Sequence, residues 1–218
     1  MNKRTYLLAL VVAVSLLLTT PASAGVLYGN GPINGNIGSW SISYGNVMSQ
    51  SFTLTAASTL TGVNLGIWIN PTGGTPLSLE WRLSNSPDTV VAGTTADLTS
   101  SLFCSSGITC GSNAYDVYAS SFSLPNVVLG PGTYYLSLDF GLTSGYDSLF
   151  LDVNNGASAA YRNGANLAGS IEMTSGSNSS SFQILGDSTA STPEPASIAM
   201  LLSGLALFAG FARRKVRA

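Results

Sequence analysis

Leu77-Ser78-Leu79-Glu80-Trp81-Arg82-Leu83 alternates apolar and polar side chains without a break. A strand sends successive side chains to opposite faces. This stretch therefore predicts a strand with Leu77, Leu79, Trp81 and Leu83 turned to a core and Glu80 and Arg82 turned away. The same period of two recurs in Val63, Leu65, Ile67 and Ile69, in Tyr134, Leu136, Leu138 and Phe140, and in Leu149, Leu151 and Val153. Weaker runs lie at residues 40–44, 48–54, 89–92, 115–124, 170–174 and 181–185. Between them stand Asn70-Pro71-Thr72-Gly73-Gly74, Pro131-Gly132 and Asn154-Asn155-Gly156, which read as turns and are consistent with hairpins. Residues 25–187 hold no convincing amphipathic helix. About ten short strands predict an all-β fold: a single antiparallel β-sandwich, jelly-roll-like, over residues 25–186. A chain of this size buries roughly 70% of its unfolded surface, enough for a core without metals. No repeat of period ~20–30 supports a solenoid instead. The polar stretch 187–192 reads as a linker.

The charge is segregated. The 218 residues carry 8 Lys+Arg, 10 Asp+Glu and no His, a net charge of −2. Six of the basic residues sit at the two ends. Between residues 25 and 192 only Arg82 and Arg162 face nine acids, a charge of −7. Such a body has no electrostatic footprint for nucleic acid. Without histidine it has no Ser-His-Asp triad, no Cys-His dyad and no His-ligated zinc.

The ends read as addresses. Lys3 and Arg4 precede an apolar run over residues 7–18, and Ala22-Ser23-Ala24 supplies a small-residue cleavage pattern. Residues 1–24 are thus expected to be a signal peptide, cut by signal peptidase between Ala24 and Gly25. At the other end, Pro193-Glu194-Pro195 precedes an uncharged segment, residues 196–212, and then Arg213, Arg214, Lys215 and Arg217. Seventeen residues of helix reach about 26 Å, the lower limit for a membrane core. The basic cluster predicts a cytoplasmic C-terminus and an exported body.

This three-part order over residues 193–218 closely resembles the PEP-CTERM sorting signal. The resemblance implies recognition and cleavage by an exosortase-like membrane protease. It also implies transient anchoring in the inner membrane before release to the cell surface or matrix, in a setting of exopolysaccharide and biofilm. It covers about 26 of the 218 residues and says little about the body. A plain membrane anchor is the alternative.

In an exported chain Cys104 and Cys110 most simply form one disulfide, closing a loop that contributes roughly 2 kcal/mol. Paired carboxylates are the catalytic constellation the composition allows. Asp139, Asp147 and Asp152 lie close in sequence, with Glu80 and Glu172 elsewhere, but no spacing sets the ~5–10 Å separation a glycosidase needs. No cofactor is expected. Calcium on Asp147 and Asp152, with Asn154 and Asn155, is the alternative. Asp139 and Asp152 fall on the polar phase of their strands, where solvated acids are expected. Trp68 and Tyr135 are out of phase with their core neighbours. Aromatic rings beside polar groups can stack on sugars, so both are candidates for sugar contact, against simple packing or strand preference. The expectation is a non-enzymatic, exported, exopolysaccharide-associated surface protein. A lectin-like carbohydrate-binding module is the alternative and a glycan hydrolase the more distant one.

Overall fold

A computed structural model describes residues 24–85, 92–107, 114–162, 171–172 and 179–188. The expected signal peptide up to Ser23, the linker beyond Ser188, the sorting tail and Cys110 lie outside these residues. The described chain forms fourteen strands and no helix: β1 (Gly25–Gly29), β2 (Ser39–Ser41), β3 (Met48–Leu54), β4 (Ser58–Ile69), β5 (Pro76–Ser84), β6 (Ala92–Asp97), β7 (Thr99–Cys104), β8 (Asp116–Leu129), β9 (Gly132–Thr143), β10 (Phe150–Asn154), β11 (Ala160–Arg162), β12 (Ile171–Glu172), β13 (Ser179–Ser180) and β14 (Phe182–Ser188).

They make two antiparallel sheets. One has the order β1-β14-β4-β10-β13, with β2 on β10 and the β7–β8 pair on β4. The other runs β12-β11-β3-β9-β5-β6. One apolar cluster joins them, with Val63, Leu65 and Ile67 from the first sheet and Leu79, Leu83, Leu136 and Leu138 from the second. Trp81 of β5 stacks on Phe122 of β8, 6.3 Å between ring centres. Burying a face of each sheet against the other is what the period-two pattern requires.

The three strongest turn signals do not make hairpins. Residues 70–75 join β4 to β5, residues 130–131 join β8 to β9, and residues 155–159 join β10 to β11. In each case the strands belong to different sheets. Turn residues bend the backbone, but they do not specify whether the next strand pairs with the last one or crosses the core. β14 also runs on to Ser188, with Asp187 paired to Thr59 and Ser188 to Ser58. The body therefore takes two residues of the stretch expected as linker, because β4 offers them backbone partners.

Two residues leave the expected core phase, for one reason. Between β5 and β9, Glu80 faces Asp139 but Ser78 faces Leu142, so β9 has an extra residue there. A compensating shift follows between Ser78 and Pro76. Such bulges break the alternation of faces. Phe140 adopts φ 46° and is 52% exposed, and Leu77 is 45% exposed. Leu79, Trp81, Leu83, Leu136 and Leu138 remain buried.

Candidate functional site

The outer faces of the two sheets differ. On the face carrying Asn64, Gly66 and Trp68, the register sets Trp68 against Val117 of β8 and Phe150 of β10. Trp68, Val117 and Cys104 form a second buried cluster, with Ile33, Tyr115 and Phe150 packed on it. Residues 30–38 lie over part of this face and are held by Asp152. The Asp152 carboxylate accepts from Trp68 Nε1 at 2.6 Å, from Asn34 N and Gly35 N at 3.0 Å each, and from Ser181 Oγ at 3.0 Å. Four donors thus satisfy a fully buried acid. Asn34 Nδ2 donates to Val153 O at 2.8 Å, and Val153 N to Gly38 O at 2.9 Å.

Trp68 is therefore on the outer side of its sheet, as its phase requires, yet only 2% exposed. The loop and neighbouring aromatics leave it no ring face for a sugar, so the stacking expectation for Trp68 is corrected. Asp152 likewise is no solvated acid. Asn154 is also occupied structurally: its Nδ2 donates to Asn30 O at 2.5 Å, and its Oδ1 accepts from Gly156 N at 2.9 Å. Asp147 Oδ1 accepts from Ser148 N at 2.7 Å within its own turn. Among the described residues no group of three or more Cys, Asp or Glu is arranged to hold a metal.

Beside the covered patch lies a groove of about 630 Å³. Asn64, Thr99, Ser101, Phe103, Ser121 and Gln183 contribute to its wall, and none of its lining residues is charged. Asn64 Nδ2 donates to Gln183 Oε1 at 3.0 Å.

The other sheet turns Glu80, Arg82 and Ser84 of β5 outward, opposite Asp139, Ser137 and Tyr135 of β9. Arg82 bridges two carboxylates, Asp139 at 2.9 Å and Glu80 at 3.0 Å. Asp139 is 2% exposed, which again corrects the expectation of a solvated acid. Burial pushes its carboxyl above the ordinary value of 3.8, while the Arg82 hydrogen bond and charge oppose the rise and Glu80 adds to it. Tyr135 is half-buried and meets Tyr161 of β11 edge-on, 5.5 Å between centres at 73°. Ser49 and Ser137 pair through their hydroxyls at 2.6 Å. Asp139 belongs to this face and Asp152 to the opposite outer face, so these two acids do not form a pair.

The raised Asp139 value has a defined sign. A carboxyl that binds its proton more tightly when folded adds stability in full below its unfolded value, and this is lost as pH rises through the folded value. On this account stability falls from about pH 4 upward. Asp139→Asn carries no titrating proton and should flatten that fall in denaturant titrations at successive pH values. Superimposable profiles for both proteins would refute the assignment.

Arg82 and Tyr135 were visible in the alternation of β5 and β9. Strand register, which no local pattern carries, decides their pairing with Asp139 and Tyr161. Arg162, the body's other cation, lies 5.8 Å over the Trp40 ring, so both body arginines are engaged.

The fold and these faces define a two-sheet β module with an uncharged groove on one sheet and an Arg82-bridged carboxylate pair on the other. To it the chain attaches an address: residues 191–217 match the family described as the PEP-CTERM protein-sorting motif. The match covers the expected tail except Ala218. The motif implies exosortase processing, export and membrane-associated sorting toward the cell surface. No curated protein matches the chain.

Proposed function

We infer that this is a non-enzymatic surface or matrix protein, associated with exopolysaccharide, whose jelly-roll-like sandwich is delivered by a cleaved signal peptide and released through its tail. The observation that carries the reading is the sorting motif at residues 191–217, joined to a body in which the Arg82 guanidinium bridges the carboxylates of Glu80 and Asp139. Signal peptidase and an exosortase-like protease are the processing partners. A disulfide between Cys104 and Cys110 belongs to the same reading, supported by the absence of a free cysteine among the described residues. Calcium is no part of it: the Asp152 oxygens are taken by four donors. Deleting residues 193–218 should abolish surface display while the body is still exported, as read by cell fractionation. Unchanged display would refute sorting by the tail.

A second reading, a carbohydrate-binding module, is favoured by Tyr135, a half-buried ring on a polar outer face. Retention on polysaccharide that disappears in Tyr135→Ala would select it. Retention unaffected by that change would remove its support.

A further inference from the structure

We propose that the groove on the outer face of the first sheet is a binding trough for a strand of neutral polysaccharide, with Phe103 as its stacking ring and the row Gln183, Asn64, Ser121 and Thr99 as its polar floor. The proposal rests on the exopolysaccharide association inferred above and is independent of Tyr135, which lies on the other sheet.

Strand register builds the floor. Gln183 of β14 faces Asn64 of β4, Asn64 faces Ser121 of β8, and Ser121 faces Thr99 of β7. Adjacent strands lie about 4.8 Å apart, so this row runs over roughly 14 Å, room for a short run of sugar rings. All four residues line the groove. Thr99 is exposed and the other three are half-buried, so each presents surface to a ligand. Phe103 stands at the edge. Leu102 faces Tyr118 and Cys104 faces Val117, which makes Phe103 an extra residue in β7 with no partner in the ladder. Such a bulge re-aims a side chain. Here the ring lines the groove and is 52% exposed. Pro32 and Ile33 also line the groove. Their loop is tied down by the bonds from Asn34 N and Gly35 N to Asp152, so this part of the wall is set before a ligand arrives.

The lining specifies the ligand. A volume of about 630 Å³ is in the range of a ligand site. A second hollow of about 480 Å³ continues from it, sharing Asn64, Thr99 and Ser121, which suits a chain better than a single small molecule. The bond from Asn64 Nδ2 to Gln183 Oε1 leaves Asn64 Oδ1 to accept and Gln183 Nε2 to donate. A sugar hydroxyl does both, and so answers the two amides and the hydroxyls of Ser121 and Thr99 alike. The Phe103 ring offers a flat apolar face to the C–H face of a sugar. Charge selects a neutral chain. None of the residues lining the groove is charged. Among the described residues the one ionised side chain lining the second hollow is Asp97, so neither hollow holds a cation to receive a polyuronate.

The test is affinity electrophoresis of the whole protein in gels containing hydroxyethylcellulose or laminarin, both neutral, or alginate, a polyuronate. Neutral polymer should retard the wild type and alginate should not. Affinity should fall about tenfold in Phe103→Ala and about fivefold in Asn64→Ala. Phe103→Tyr keeps the ring and should keep binding, which separates loss of stacking from damage to the strand. Ser101 lines the groove from an exposed position on β7, so Ser101→Trp should block the groove without touching the core and lower affinity at least about tenfold. Tyr135→Ala should bind as the wild type does. Retardation that survives Phe103→Ala, Asn64→Ala and Ser101→Trp would overturn this site, and its loss in Tyr135→Ala instead would assign polysaccharide binding to the other sheet. Retardation by alginate alone would overturn the neutral ligand and leave the exopolysaccharide association standing. No retardation of the wild type by any of the three polymers would overturn both.

Discussion

Asp152→Ala should destabilise the folded body by about 4 kcal/mol, the cost of leaving several buried donors without an acceptor. For a domain of this size that corresponds to a fall of roughly 10 °C in thermal midpoint. Asp152 is fully buried and gathers donors from three parts of the chain. These are Trp68 Nε1 of β4, the backbone of Asn34 and Gly35 and the Ser181 hydroxyl. Removing the carboxylate strands all of them and frees the loop over Trp68. Asp152→Asn keeps one acceptor oxygen but turns the other toward donors as an NH₂ group, so a loss of about half that size is expected. Thermal and denaturant unfolding measure both. An alanine variant within about 1 kcal/mol of wild type would show that the loop is held by packing alone.

Gly66→Val should cost about 3 kcal/mol, through overpacking at the same junction. A Cβ at Gly66 would come within 2.5 Å of Ser181 Oγ, 2.7 Å of Asp152 Cβ and 3.1 Å of Ile33 Cγ1. The penalty is steric, since Gly66 is not among the positive-φ glycines. Gly38 supplies the contrast: a Cβ there meets nothing within 4 Å, so Gly38→Ala should change stability by less than about 0.5 kcal/mol. The two variants are compared by denaturant midpoint, and equal midpoints would refute the tight approach at Gly66.

These junctions mark the boundary of what could be read from the chain. The alternation in β4, β5 and β9 correctly identified the buried faces, because burial of one sheet face imposes period two locally. It could not show the bulge at Phe140, since an extra residue becomes visible only when β5 is laid beside β9. Turn chemistry located the bends at residues 70–74 and 131–132 but not their destinations, which are crossovers between sheets. Trp68 was placed on the right side of its strand. Its burial depends on a loop some thirty residues earlier in the chain, and no local pattern announces that cover. Asp139 and Asp152 were on the polar phase for the same local reason. Their burial comes from Arg82 and its surroundings in one case and from the loop at 30–38 in the other. The sorting motif of the tail was legible, because its recognition depends on the linear order of Pro193-Glu194-Pro195, an apolar segment and a basic end, and not on tertiary contacts.

If the two basic ends direct the β body to the surface and are removed from it, the protein found there is a trimmed chain. Intact mass spectrometry of the protein released from the cell surface tests this directly. The expected chain begins at Gly25, lacks residues 213–218 and is lighter by two hydrogens than its fully reduced form. Recovery from the surface of a chain that still carries Arg213, Arg214 and Lys215 would contradict it.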